Sequence, residues 1–187
     1  MMQQAEHTER PGSAMLVFLI GFMGAGKTTL GKAVAPLASF DFLDLDDRIV
    51  EMAGASIPEI FAREGEQGFR LRERAALESL SALKRPCLVA CGGGTPCFHD
   101  NMQWMNAHGH TIYLRPDIAI LAGRLRLQQA QRPLIREVPP HELEAFITHL
   151  LAHREPYYLQ AYMVLEGNVQ ARDLLKVLNS LSSQQPY

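Results

Sequence analysis

Eight residues constrain this chain more than any other feature: Gly21-Phe22-Met23-Gly24-Ala25-Gly26-Lys27-Thr28. They satisfy the pattern GxxxxGK[ST] in full, follow the apolar run Met15–Ile20 and open a helical pattern. That context predicts a strand, a phosphate-cradling loop and a helix N-terminus. Glycines at 21, 24 and 26 let bare backbone approach a ligand, so that N–H groups and the helix N-terminus point at phosphates. Lys27 is then set to reach the β and γ phosphates of a nucleoside triphosphate, and the Thr28 hydroxyl to ligate Mg²⁺. The motif specifies phosphate binding and leaves the acceptor open.

The rest of the pattern fits one α/β domain. Strand-like runs at Met15–Ile20, Phe40–Leu43, Cys87–Ala90, Thr111–Leu114 and Met163–Leu165 alternate with helical patterns. The helical stretches are Lys27–Ala38, Gly68–Leu83, Asp100–His108, Asp117–Arg126, Pro140–Arg154 and Val169–Leu181. Strands spaced by helices need crossover connections, hence a parallel sheet of about five strands in a three-layer α/β/α sandwich. Gly54–Gly65 reads as a connector containing Pro58, and Gln128–Pro140, with three prolines, as a loop of lid length. Residues 1–14 are polar and lack an apolar signal core, so they read as a disordered leader or a cloning remnant, leaving a single domain over 15–187.

Composition excludes several classes. Net charge is −2 with no basic block, against a nucleic-acid binder. The longest apolar run is far too short to span a bilayer. The three cysteines, Cys87, Cys91 and Cys97, contain no CxxC and with His99 match no common zinc spacing; reduced thiols of a cytoplasmic protein are the simplest account. The seven histidines read as structural or solvated. Arginines outnumber lysines 14 to 4, which directs attention to arginines placed to grip an anion in a fork.

Three further segments carry candidate chemistry. The second strand ends in Leu43-Asp44-Leu45-Asp46-Asp47, at the strand end where ligands bind in an open α/β sheet. Asp44 and Asp46 share parity in an extended segment and would point the same way, with Asp47 capping or beginning the next helix. A helix expected from about Gly68 puts Arg70 and Glu73 at i, i+3, where they can pair, and Arg70 can fork a carboxylate. Cys91-Gly92-Gly93-Gly94 follows the third strand and offers bare backbone N–H groups.

Together with Gln131–Ile135 (QRPLI) and Arg154–Tyr158 (REPYY), these segments resemble the shikimate kinase family over roughly Met15–Leu165, in the family's order and at near-family spacing. The resemblance implies a P-loop NTPase fold of the nucleoside monophosphate kinase-like group, with a substrate-binding region at about 46–80 and a lid at about 127–140. It implies ATP and shikimate as substrates, Mg²⁺ as cofactor and a monomer. Gly24, Ala25, Gly26, Lys27, Thr28 and Thr29 would bind ATP phosphates, and Thr28 and Asp44 would hold the metal. Asp46 would bind the shikimate hydroxyls and orient or deprotonate the attacking one. Arg70 and Arg154 would clamp the carboxylate, and Gly92, Gly93 and Gly94 would contact shikimate by backbone. Arg132 would come in with the lid, making Lys27, Asp46 and Arg132 the catalytic set. Arg124 is similar to the arginine near the adenine, with Arg126 close by. Two rivals remain: a kinase for gluconate or a related hydroxy acid, and a catalytically silent nucleotide-binding regulator.

Overall fold

A computed structural model describes residues 14–132 and 134–183; nearly all of the expected leader lies outside the described residues. Strand β1 (Leu16–Ile20) is buried at every position, because helices cover both faces of the sheet it centres. It pairs in parallel with β3 (Cys87–Ala90) and β4 (His110–Arg115). Strands β2 (Asp41–Asp44) and β5 (Met163–Glu166) form the edges, giving the order β2-β3-β1-β4-β5. The expected five-strand parallel sheet is therefore present. Its register places Asp44 level with Ala90, and Ala90 level with Leu19. The chain leaving β1, β2 and β3 thus enters one crevice at the carboxyl edge, where the strand order reverses.

Helix α1 (Lys27–Val34) packs on β1, β2 and β3 and against α7 (Ala171–Ser183). Helix α4 (Asn101–His108) lies on β4, and α5 (Ile118–Arg126) pairs with α6 (Leu143–Tyr158). Among the described residues no helix is long and apolar enough to cross a membrane.

Four local expectations need correction. Helix α1 stops at Val34 and tightens into a 3-10 turn over Ala35–Ala38, with Pro36 in its first turn. The segment after Asp44 is a helix, α2 (Leu45–Ala53), so Asp44 and Asp46 do not share the parity of an extended strand. Asp44 is the N-cap, accepting from the Asp46 N–H at 3.1 Å, and Asp46 and Asp47 occupy a first turn where the helix dipole favours acids. Gly54–Gly65 is mostly helical: α3 runs Ile57–Ser79 from a Ser56/Glu59 capping box, with Pro58 in its first turn. Gly65, at φ 67° and ψ −173°, breaks α3 into two segments, and the second carries Arg70 and Glu73.

The fourth correction bears on the site. The expected helix ended before Pro156, but α6 continues through it to Tyr158. Proline in the last turn removes one intrahelical hydrogen bond, and burial of Tyr158 in the core offsets that loss.

Candidate active site

The cleft at the carboxyl edge encloses about 560 Å³, lined by the loop after β1, Asp44, Asp46, Cys91–Gly93 and residues of α5 and the two following loops. Gly21 has φ 136°, and a Cβ there would stand 2.6 Å from the Leu114 carbonyl oxygen, so the loop needs glycine on both counts. Gly26 is the N-cap of α1 in the left-handed region and supplies no side-chain cap. The first N–H groups of α1 therefore remain available to an anion. Lys27 folds back over this loop, its Nζ donating to the carbonyls of Gly21 at 2.7 Å and Phe22 at 3.0 Å. Burial lowers its pKa to about 8, against the raising influence of Cys91, Asp46 and Asp44.

Thr28 donates its hydroxyl to Asp44 Oδ2 at 2.8 Å, while Asp44 Oδ1 accepts from the Asp46 amide. Gly24, Gly26, Thr28 and Thr29 all line the cleft. Ala25 is buried in the loop and bonds Arg124 through its carbonyl.

At one end of the cleft, Arg124 donates to the carbonyls of Gly24 at 3.0 Å and Ala25 at 3.2 Å, and to Asn168 Oδ1 at 2.9 Å. Arg126 instead pairs with exposed Glu144 at 3.1 Å. Asn168, Val169 and Gln170 also line the cleft. Sequence reading missed them, although the turn after β5 opens on the same carboxyl edge as the other site loops.

Arg132 faces the cleft and donates to Gln128 Oε1 at 2.8 and 3.2 Å. Its charge is close enough to depress Lys27 further. The segment carrying it is braced by Gln129 Nε2, which donates to the Ile135 and Val138 carbonyls, and by buried Ile135.

Beyond Asp46 the chemistry changes. A Cβ on Gly92 would meet Thr95 Oγ1 at 3.0 Å, Asp46 Oδ1 at 3.3 Å and Glu73 Oε1 at 3.4 Å, so three oxygens converge on bare backbone. Glu73 is 1% exposed, held by Thr95 Oγ1 at 2.6 Å and Arg70 Nη1 at 2.9 Å. Its pairing with Arg70 is the one the i, i+3 spacing anticipates, but its convergence with Asp46 was not legible. The Arg70 guanidinium stacks on Phe98 at 4.0 Å and presses on Gly94, where a Cβ would sit 2.7 Å from Nη2. Its Nε is buried with no hydrogen-bond partner among the described residues. Arg154 also lies against the triglycine turn, with its Nη1 3.4 Å from where a Gly93 Cβ would be. Arg70 and Arg154 thus lie against the turn rather than line the phosphate cleft. Cys91 is buried with Sγ 3.7 Å from Met105 Sδ, and burial pushes its thiol up, so it is no thiolate nucleophile.

Asp46 is pushed up from 3.8 to about 6, first by burial and then by Asp44 and Glu73, with Lys27 opposing. Between those values the folded chain holds a proton that the unfolded chain releases. The contribution of the neutral acid is complete below the unfolded value and lost as pH rises through about 6. At neutral pH the ionised Asp46 therefore costs stability. Asp46→Asn is expected to raise Tm at about pH 7.5 by roughly 2–4 °C, on the order of 1 kcal/mol, with little change near pH 4. Calorimetry at both pH values checks this, and an unchanged or lower Tm at the higher pH would refute the electrostatic strain.

The family model described as shikimate kinase matches residues 23–182. A shikimate kinase of Parabacteroides distasonis is 43% identical over 151 residues, covering 81% of this chain and 87% of that protein. The crystal structure of shikimate kinase from Bacteroides thetaiotaomicron aligns with TM-score 0.82 at 37% identity, covering 90% of this chain and 98% of that one. Shikimate kinase from Acinetobacter baumannii, solved in complex with shikimate, aligns with TM-score 0.79 at 35% identity over 94% of this chain and 97% of that one. With a family match of this length and relatives this similar over most of both chains, the chain belongs to the shikimate kinase family.

Proposed function

We propose that the protein transfers the γ-phosphoryl group of ATP to the 3-hydroxyl of shikimate, releasing shikimate 3-phosphate and ADP. The observation that carries this reading is the meeting of two different half-sites at Asp46. One is a phosphate cradle ending in Lys27 and Thr28; the other is the bare glycine backbone of residues 92–94, with Arg154 close against Gly93 and Arg70 close against Gly94. Phosphoryl transfer asks the protein mainly for positioning and charge neutralisation, and these residue types supply both. The family match and the relative solved with shikimate support the acceptor over gluconate. Retention of Lys27, Thr28, Asp44, Asp46 and Arg132 argues against a silent regulator.

In this reading Lys27 leaves the Gly21 and Phe22 carbonyls for the phosphates. Asp46 holds the attacking hydroxyl and takes up or shares its proton. Arg70 and Arg154 fork the substrate carboxylate, and the glycines at 92–94 bond it through backbone. Arg132 exchanges Gln128 for phosphate as the lid at about 127–140 closes and excludes water. Arg124 steadies the loop and lies beside the adenine. Thr28 and Asp44, an all-oxygen pair bonded to each other beside the cradle, would suit a hard cation. Mg²⁺ held by them would offset phosphate charge. A monomer in a reducing, cytoplasmic compartment completes the reading.

The deciding experiment is a coupled assay of ADP release with Mg·ATP plus shikimate, gluconate or neither. Shikimate-dependent release is expected, and ADP release indifferent to shikimate would remove this function. Asp46→Ala and Lys27→Ala are each expected to lower kcat by roughly 10²–10³ or more. Arg70→Ala should act mainly on shikimate KM. Wild-type kcat in Asp46→Ala, or unchanged shikimate affinity in Arg70→Ala, would sink the respective role.

The pH profile is a separate check. Below about 6 Asp46 is protonated and no longer accepts from the hydroxyl, and above about 8 Lys27 loses the charge that meets the phosphates. The kcat/KM profile should be a bell with limbs near those values. In the kcat profile, bound phosphates favour charged Lys27 and move the alkaline limb upward. A flat kcat/KM from about pH 5 to 9 would overturn both assignments.

A further inference from the structure

The last residue of α6, Tyr158, is fully buried, and its hydroxyl donates to the carbonyl of Gly93, the middle glycine of the turn after β3. Burial pushes its phenol well above the ordinary range, so it remains a donor at any working pH. Gly93 is a junction. A Cβ there would lie 3.3 Å from the Met23 amide nitrogen and 3.4 Å from Arg154 Nη1, so the phosphate loop, the triglycine turn and α6 meet at one residue. The Tyr113 ring packs on Tyr158 at 5.1 Å between centroids, and its edge lies 3.3 Å from where a Cβ on Gly21 would stand.

Two consequences follow from covalent geometry. The Gly93 carbonyl and the Gly94 N–H belong to one planar trans peptide, so anchoring the oxygen fixes where the N–H aims. Arg154 precedes Tyr158 by one helical turn, so the bond that holds the turn also holds the helix that presents the guanidinium. We infer that Tyr158 is a positioning residue for the acceptor: its hydroxyl fastens the triglycine turn to α6, so that backbone donors and Arg154 meet the acid substrate as one preformed surface. Tyr158 touches neither phosphate nor reacting atoms in this assignment, and its effect is preorganisation of the binding surface. The inference rests on the shikimate reading of the site.

Tyr158→Phe keeps the ring and its packing and removes only the hydroxyl. Shikimate KM and Kd are expected to rise roughly 3–10-fold, the worth of one net hydrogen bond, with KM for ATP within about twofold of wild type. Tyr113→Phe, in the same aromatic cluster, loses a bond to Glu155 rather than to the turn and is expected to keep wild-type shikimate KM. An unmoved shikimate KM in Tyr158→Phe would overturn the inference. So would equal rises in both variants, or equal rises for both substrates, since those report general loosening of the core. Wild-type protein lacking shikimate-dependent turnover would instead strike the functional reading, so the two failures are separable.

Discussion

Asp44 is the hinge pin of the site. One of its oxygens accepts from Thr28 at the start of α1, and the other caps α2 through the Asp46 amide. A single carboxylate therefore ties the phosphate loop of β1 to the acid that follows β2, across the intervening strand β3. Asparagine could still accept from the Asp46 N–H through its oxygen, but it would meet Thr28 with an amide donor and reverse the direction of that bond. The distance between the loop after β1 and the Asp46 carboxylate is set by this residue and by the register of the sheet beneath it.

Around that pin the protein gathers charges that do not favour one another's company. Asp44, Asp46 and Glu73 all raise or feel negative potential, and Lys27 and Arg132 oppose each other across the cleft. Three of them are held by hydrogen bonds: Lys27 by loop carbonyls, Glu73 by Thr95 and Arg70, and Asp44 by Thr28 and the Asp46 amide. A polyanionic substrate would relieve the repulsion between Lys27 and Arg132, which is how a preorganised site gains strength where charge develops. Stability is given up for that readiness, as is usual at functional sites.

Legibility in the sequence tracked how local each signal is. The phosphate loop was fully readable, because eight consecutive residues carry both its conformation and its chemistry. The five strands were readable to within a residue or so, because short apolar runs set between helical patterns leave a plain signature. Helix α2 was not, because its N-cap Asp44 sits on the end of a strand and its apolar stripe is only two turns long. The start of α3 was legible but passed over: Ser56, Pro58 and Glu59 form a helix-start pattern that the nearby glycines masked. Asn168, Thr95 and Tyr158 were beyond reach, since each is bound to a partner remote in the chain.

The sequence by itself determined that this chain binds a nucleoside triphosphate, that it folds as a parallel α/β sheet, and which residue types stand ready at each strand end. Those follow from short-range pattern, because backbone conformation and amphipathic period are properties of neighbouring residues. Only the tertiary structure decided that Asp46 and Glu73 converge on Gly92, that Arg124 rather than Arg126 turns toward the loop, and that Tyr158 clasps Gly93. Those depend on strand order and helix rotation, which bring together groups dozens of residues apart, and on burial, which turns such proximity into shifted pKa values and fixed hydrogen bonds.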